Sequence, residues 1–156
     1  SCKGNPAMSF LDSLKQSVRE VTQSLNSEMK KFRSKELLQA IVAGSTMIAY
    51  SDGQVSSAEK QKLMGYVRNS EQLSVFESDK VIEAFNQNLS RFEFDATIAS
   101  GEALQKIAVF KGKPEAPLIV SVCLAIANAD GNLASTEQQT LEQICRALDH
   151  DIKTFL

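Results

Sequence analysis

Apolar residues along this chain recur at spacings of three and four, which is the period of an amphipathic helix. The first stripe predicts a helix near residues 9–33 and comprises Phe10, Leu14, Val18, Val21, Leu25, Met29 and Phe32. We expect this helix to pack against the rest of the fold, because an amphipathic helix gains most of its stability from tertiary contacts. Its basic end, Lys30, Lys31 and Arg33, is interpreted as solvated, with a docking surface for a membrane or partner as the alternative.

Six further helices are predicted by the same period. They lie between Ser34 and Asp52, at 57–68, around Val81–Phe92, around Ile98–Phe110, at 116–129 and around Leu141–Leu148. Two of them end at an Asp-Gly pair, and glycine is the usual residue just past a helix end. No stretch alternates apolar and polar residues long enough to predict a strand. We therefore expect an all-α fold, a single-domain helical bundle of about seven helices with short connections.

An internal repeat organises this pattern. Residues 41–63 and 119–141, aligned at a constant offset of 78, share ten identities in 23 positions. The offset is longer than the period of about 20–50 residues that solenoid repeats use. The two copies, near 37–68 and 115–148, therefore predict two pseudo-symmetric helical hairpins within one bundle.

Each repeat carries an acidic loop of the same spacing. Asp52 and Glu59 lie in the first copy, and Asp130 and Glu137 occupy the equivalent positions in the second. The order Asp-Gly, five residues, Glu matches the second half of an EF-hand loop. The first half of that motif is absent from both copies, so neither loop is predicted to bind calcium alone.

A turn with a helix cap is the alternative explanation of these loops. Asp-Gly is a common turn, and Ser56 with Glu59 fits a capping box. The second copy weakens this alternative, because Ala134 replaces Ser56 while the carboxylates keep their spacing. Carboxylates retained without the matching cap favour a role beyond capping.

The four carboxylates would converge if the two hairpins packed together. Like charges a few ångströms apart are costly unless a cation or protons neutralise them. Oxygen ligands favour Ca²⁺, Mg²⁺ or Mn²⁺ over Zn²⁺. The sequence therefore predicts a divalent-cation site formed by Asp52, Glu59, Asp130 and Glu137, and the turn-and-cap interpretation stays open.

Composition and charge narrow the possible functions. The chain has 17 basic and 19 acidic residues, which leaves no basic footprint for a nucleic-acid backbone. The longest apolar stretch, 116–129, is too short to cross a bilayer. Residues 1–7 form a polar lead-in before Met8 and are interpreted as an expression remnant, so that residues 8–156 form the helical domain.

Cysteine and histidine usage gives no support for an enzyme. Cys123 and Cys145 lie in apolar helical patterns without a secretory signal, which favours buried thiols and a cytoplasmic location. A thiol-dependent reductase using them, or a carboxylate-based hydrolase, is disfavoured, because the chain has no Cys-x-x-Cys and no Gly-rich phosphate loop. His150 is the one histidine and is expected at the surface.

The paired Asp-Gly loops, each closing an apolar helix that ends in Ile-Ala-Tyr-Ser or Ile-Ala-Asn-Ala, resemble the TerB family of tellurite-resistance proteins over residues 8–156. The resemblance implies an all-α fold, a role in tellurite and related stress resistance, and no established catalytic reaction. It also implies action with other proteins of the same resistance system, including a membrane protein that would hold the chain peripherally at the inner membrane. The family's acidic positions carry over to Asp52, Glu59, Asp130 and Glu137.

Two functions remain in competition at this level. The first is a non-enzymatic, cation-binding sensor or scaffold that acts through the duplicated acidic loops in a metal-stress complex. The alternative is an interaction module whose acidic loops are structural or bind a protein partner without an ion. A metal titration separates the two.

Overall fold

The computed structural model describes residues 29–30, 32–129 and 131–155. Within them lie six α-helices, α1 (Lys35–Ala49), α2 (Ser57–Arg68), α3 (Ser78–Phe94), α4 (Ala96–Ala108), α5 (Ala116–Ala127) and α6 (Ser135–Ala147), and 3₁₀ helices at Gln72–Val75 and Ile152–Phe155. These residues contain no strand. The all-α prediction is therefore confirmed.

The first predicted helix, near 9–33, lies almost wholly outside the described residues. Met29, which is fully buried, and Phe32, which packs against the core, are two described members of its apolar stripe. The count of about seven helices, and the packing of this helix through Phe10, Leu14, Val21 and Leu25, stay predictions.

Local capping signals explain where several helices begin and end. Ser34 caps α1 by accepting a hydrogen bond from the Leu37 amide at 3.1 Å. Asp95 ends α3 and at once caps α4, so a single residue joins these two helices. The helix predicted at 116–129 ends two residues early, because Asn128 forms the C-terminal cap of α5. Side chains that hydrogen-bond the first-turn amides satisfy donors that a helix leaves unpaired.

The core is built around α1. From Leu37 to Ile48 every residue of this helix except Gln39 is buried, and α1 contacts α3, α4, α5 and α6. A helix that is buried all round belongs to the centre of a fold rather than to its surface. The first helix of the second repeat, α5, is similarly apolar and packs directly against α1.

The helix bounds follow the internal repeat. At the offset of 78, Ala49 and Ala127 end α1 and α5, and Ser57 and Ser135 begin α2 and α6. The two acidic loops therefore occupy the same place in each copy, between the paired helices. A pseudo-symmetric relation of the two hairpins stays a prediction.

Candidate functional site

The described residues of the two acidic loops share two features of backbone geometry. We name residues 50–56 the first acidic loop and residues 128–134 the second. The amide of Gly53 donates to the carbonyl of Tyr50 at 2.9 Å, and Gly131 donates to Asn128 at the same distance. Both glycines have positive φ, 97° and 76°, a conformation that side chains with a Cβ rarely adopt. The Asp-Gly spacing therefore encodes one turn geometry used twice.

Each of the two aspartates of the predicted site precedes the glycine of an acidic loop. Asp52 is exposed, and its Oδ1 accepts a hydrogen bond from the Gln54 amide at 3.3 Å, which makes it part of its own turn. Asp130 lies outside the described residues. Short polar side chains commonly stabilise such turns by accepting from the backbone two residues on.

The two glutamates each hold the first turn of the following helix. At α2, the Ser56 hydroxyl accepts from the Glu59 amide and Glu59 Oε1 accepts from the Ser56 amide, both at 3.1 Å. At α6, Glu137 Oε1 accepts from the Ala134 amide at 2.8 Å. Ala134 has no side-chain oxygen that could accept a hydrogen bond from the Glu137 amide. The capping box is thus complete in the first copy and half present in the second.

One pocket of about 200 Å³ is lined by residues of both repeats. Glu59 and Glu137 both line it, although they lie on different helices of different repeats. Its lining is completed by Ser45, Ile48, Ala49, Val55, Lys62, Leu63, Tyr66, Ile126 and Ala127. Three pairs in this wall, at 48 and 126, 49 and 127, and 59 and 137, are equivalent positions of the repeat. The pocket therefore lies where the two copies meet.

The pocket does not collect every residue that the sequence predicted. Asp52 is not among its lining residues, and its Oδ1 accepts a hydrogen bond within its own loop. In the described part of the chain, no three or more His, Cys, Asp or Glu side chains cluster closely enough to hold a metal ion. Of the four predicted carboxylates, Glu59 and Glu137 line this pocket, and Asp130 lies outside the described residues.

An anchor for the first acidic loop was missed by the sequence reasoning. The buried ring of Tyr50 stacks on Phe92 with 5.3 Å between ring centroids, and its hydroxyl donates to Glu93 Oε1 at 3.4 Å. Lys60 forms an ion pair with the same carboxylate. Burial, reinforced by Glu93, raises the pKa of Tyr50 to about 12, so its hydroxyl stays a donor at neutral pH. This cluster holds the start of the loop against the end of α3.

The second loop has a different residue at the equivalent place. Asn128 is 7% exposed, and no hydrogen-bond partner for its Oδ1 occurs among the described residues. A buried polar oxygen without a partner is costly and calls for an explanation. In the aligned repeats, Tyr50 lies opposite Asn128, and this difference is the sequence feature that indicates that the two loops are held differently.

The thiols lie inside the core. Burial raises the pKa of Cys123 to about 12 and that of Cys145 to about 11. Cys123 also donates weakly to the carbonyl of Ile41 at 3.6 Å and accepts from the Ser45 hydroxyl at 3.7 Å. At neutral pH both side chains are therefore protonated, and the thiolate is the reactive form. His150 is partly exposed and packs edge-on against Phe155 at 5.9 Å.

The helices give no sign of a membrane span. Among those in the described residues, none is both long enough and apolar enough to cross a bilayer.

Comparisons with known proteins identify similar sequences. The family described as "Tellurite resistance protein TerB" matches residues 38–155, a range that contains both acidic loops. The tellurium resistance protein TerB of an Alcaligenes species is 38% identical over 119 residues, which cover 74% of this chain and 98% of that protein. No solved structure matches significantly.

Proposed function

Because this chain belongs to the TerB family of tellurite-resistance proteins, we propose that it acts in tellurite resistance as a non-enzymatic, cation-binding sensor or scaffold. One observation carries the proposal: Glu59 and Glu137, equivalent residues of the two repeats, line a single pocket. A cation bound there would connect the two halves of the fold. Binding of the cation would change the conformation of the two acidic loops, and partner proteins would recognise that change.

Contacts between equivalent residues support a shared site. The Ser45 hydroxyl donates to Cys123 Sγ at 3.7 Å, and these two positions are themselves related by the offset of 78. At a symmetric dimer interface, equivalent residues meet each other near the two-fold axis. We therefore propose that the two hairpins are pseudo-symmetric and that the pocket lies close to their axis.

The oxygen atoms of the loops suit a hard cation. Carboxylates from Asp52, Glu59, Asp130 and Glu137, with backbone carbonyls and water, are ligands that Ca²⁺, Mg²⁺ and Mn²⁺ accept. The buried Oδ1 of Asn128, which has no hydrogen-bond partner in the described residues, is a further amide oxygen in the second acidic loop, outside the pocket lining. We propose a divalent cation from this group as the ligand.

Chemical-shift titration of the protein with Ca²⁺, Mg²⁺, Mn²⁺, Zn²⁺ and tellurite tests the proposal. Glu59→Gln and Glu137→Gln are the informative variants, because glutamine can still accept the capping hydrogen bond while its charge is lost. Each should weaken cation binding. Glu142→Gln, on α6 and not lining the pocket, is the matched control. Equal loss in all three variants would indicate a general charge effect rather than a site.

A second function is favoured by the hydrogen bonds of the glutamates. Both carboxylates already accept capping amides, and Lys62 lines the same pocket, so the acidic loops could serve structure alone and present a surface to a protein. In this case the chain is an interaction module that needs no ion. Proteins of the resistance system, including a membrane protein, are the proposed partners in either case. Their capture should require the cation, and be lost with chelator, only if the first function is right.

A further inference from the structure

Three charged side chains line the pocket in the described part of the chain: Glu59, Glu137 and Lys62. Lys62 follows Glu59 by three residues on α2, and side chains at this spacing are neighbours on a helix surface. Charges that line one solvent-accessible pocket act on each other partly through water, so their interaction weakens as salt is raised.

The lysine is present in only one repeat. The equivalent position holds Thr140, which is buried and donates its hydroxyl to the carbonyl of Thr136 at 3.1 Å. Lys60, the other lysine near this turn of α2, is already paired with Glu93 outside the pocket. Lys62 therefore supplies the positive charge among the pocket residues that the structure describes.

We propose that Lys62 is the resident counter-ion of Glu59 and Glu137 and competes with the incoming cation for them. The inference rests on the proposed cation-binding function and names a residue that sets its affinity. The ammonium lowers the cost of holding two carboxylates together when no cation is present. It also repels a divalent ion, so binding requires the side chain to move out into solvent. By reciprocity, a bound cation releases Lys62 at the protein surface.

Cation affinity of two variants that each remove one positive charge from α2 tests the competition. Lys62→Met keeps the apolar stem and removes the charge, and it should bind the cation about 3- to 30-fold more tightly, as expected for removing a unit charge a few ångströms away. Arg68→Met removes the same charge from the same helix but outside the pocket, and it should change affinity by less than about 3-fold. The difference should shrink as salt is raised. Unchanged affinity in Lys62→Met, or equal effects in both variants, would overturn the competition.

A measurement without any cation tests the pairing separately. In the presence of chelator, urea unfolding of Lys62→Met, Glu137→Gln and the double variant forms a double-mutant cycle. The two changes should be non-additive, and the cycle of Lys62→Met with Glu142→Gln should be additive. Additivity in the first cycle would overturn the counter-ion role. A third outcome is coupling between Lys62→Met and Glu137→Gln together with no cation binding by either the wild type or Lys62→Met. This outcome would overturn the cation-binding function and the competition, and it would retain the pairing of Lys62 with Glu137.

Discussion

At the scale of single residues, the crossing of α1 and α5 leaves no room for a side chain at Gly44. A Cβ at this position would lie 2.8 Å from the Sγ of Cys123. We expect Gly44→Ala to lower the free energy of unfolding by about 1–3 kcal/mol, the usual cost of overpacking a core. Urea denaturation followed by circular dichroism measures this loss.

Two further variants test the cause. Cys123→Ala removes the sulfur, so the double variant should lose less stability than the two single variants together. Gly101 on α4 has no atom within 4 Å of its added Cβ, and Gly101→Ala should raise stability by about 0.5–1 kcal/mol. Loss of stability at both glycines would contradict an explanation based on the close contact.

The buried thiols make stability depend on alkaline pH. The pKa of Cys123 is raised by burial from 9.0 to about 12, so the folded protein keeps a proton that the unfolded chain releases. Stability falls with pH wherever the folded state binds more protons. This group should therefore lower the free energy of unfolding by up to about 1.4 kcal/mol per pH unit above about pH 9. Urea midpoints measured at rising pH should decline less steeply in Cys123→Ala, and an unchanged slope would exclude this thiol as the cause.

The same protonated thiols should be dispensable for resistance. Substitution of Cys123 and Cys145 by alanine or valine removes any thiol chemistry while keeping small apolar side chains in the core. Growth on tellurite should stay largely intact, apart from an effect of lower stability. Protein level and circular dichroism are the controls. Resistance lost from a well-folded variant would make thiol chemistry the leading mechanism.

At the scale of the helices, α2 and α6 begin with nearly the same backbone and different caps. Ser56 has φ −70° and ψ 163°, and Ala134 has φ −70° and ψ 157°. Ser56→Ala should lower the free energy of unfolding by about 1 kcal/mol, and Ala134→Ser should raise it by about 0.5–1 kcal/mol by completing the box with Glu137. Thermal denaturation measures both. Neither side chain is a proposed ligand or lines the pocket, so a change of cation affinity in either variant would contradict the separation of capping from binding.

The helices could be predicted more fully than the site because their signals are local. Ser34 and Asp95 mark helix starts through bonds to amides three residues away, which a sequence reveals. The presence of Glu59 and Glu137 in the lining of one pocket depends on how α2 and α6 pack around α1 and α5, which spacing alone does not encode. That Asp52 joins them stays a prediction, and its Oδ1 accepts a hydrogen bond from the Gln54 amide.

At the scale of the whole molecule, a cation between the repeats should stabilise the fold. A ligand that binds only the folded state adds about 2.7 kcal/mol at a concentration one hundred times its Kd. Asp52→Asn and Asp130→Asn should each weaken the rise in melting temperature, and chelator should reverse it. If millimolar Ca²⁺, Mg²⁺, Mn²⁺ and Zn²⁺ all left the loops unperturbed, the acidic surface would remain only as a candidate contact for a partner.

The buried position of α1 also matters while the protein is being made. From Leu37 to Ile48 this helix is buried except at Gln39, and two of the helices that contact it, α5 and α6, come much later in the chain. A ribosome therefore exposes α1 long before those helices have been synthesised, and exposed apolar surface on nascent chains attracts chaperones and promotes aggregation. Translation that stops before residue 116 would leave a product unable to cover its central helix, which proteases can recognise and remove.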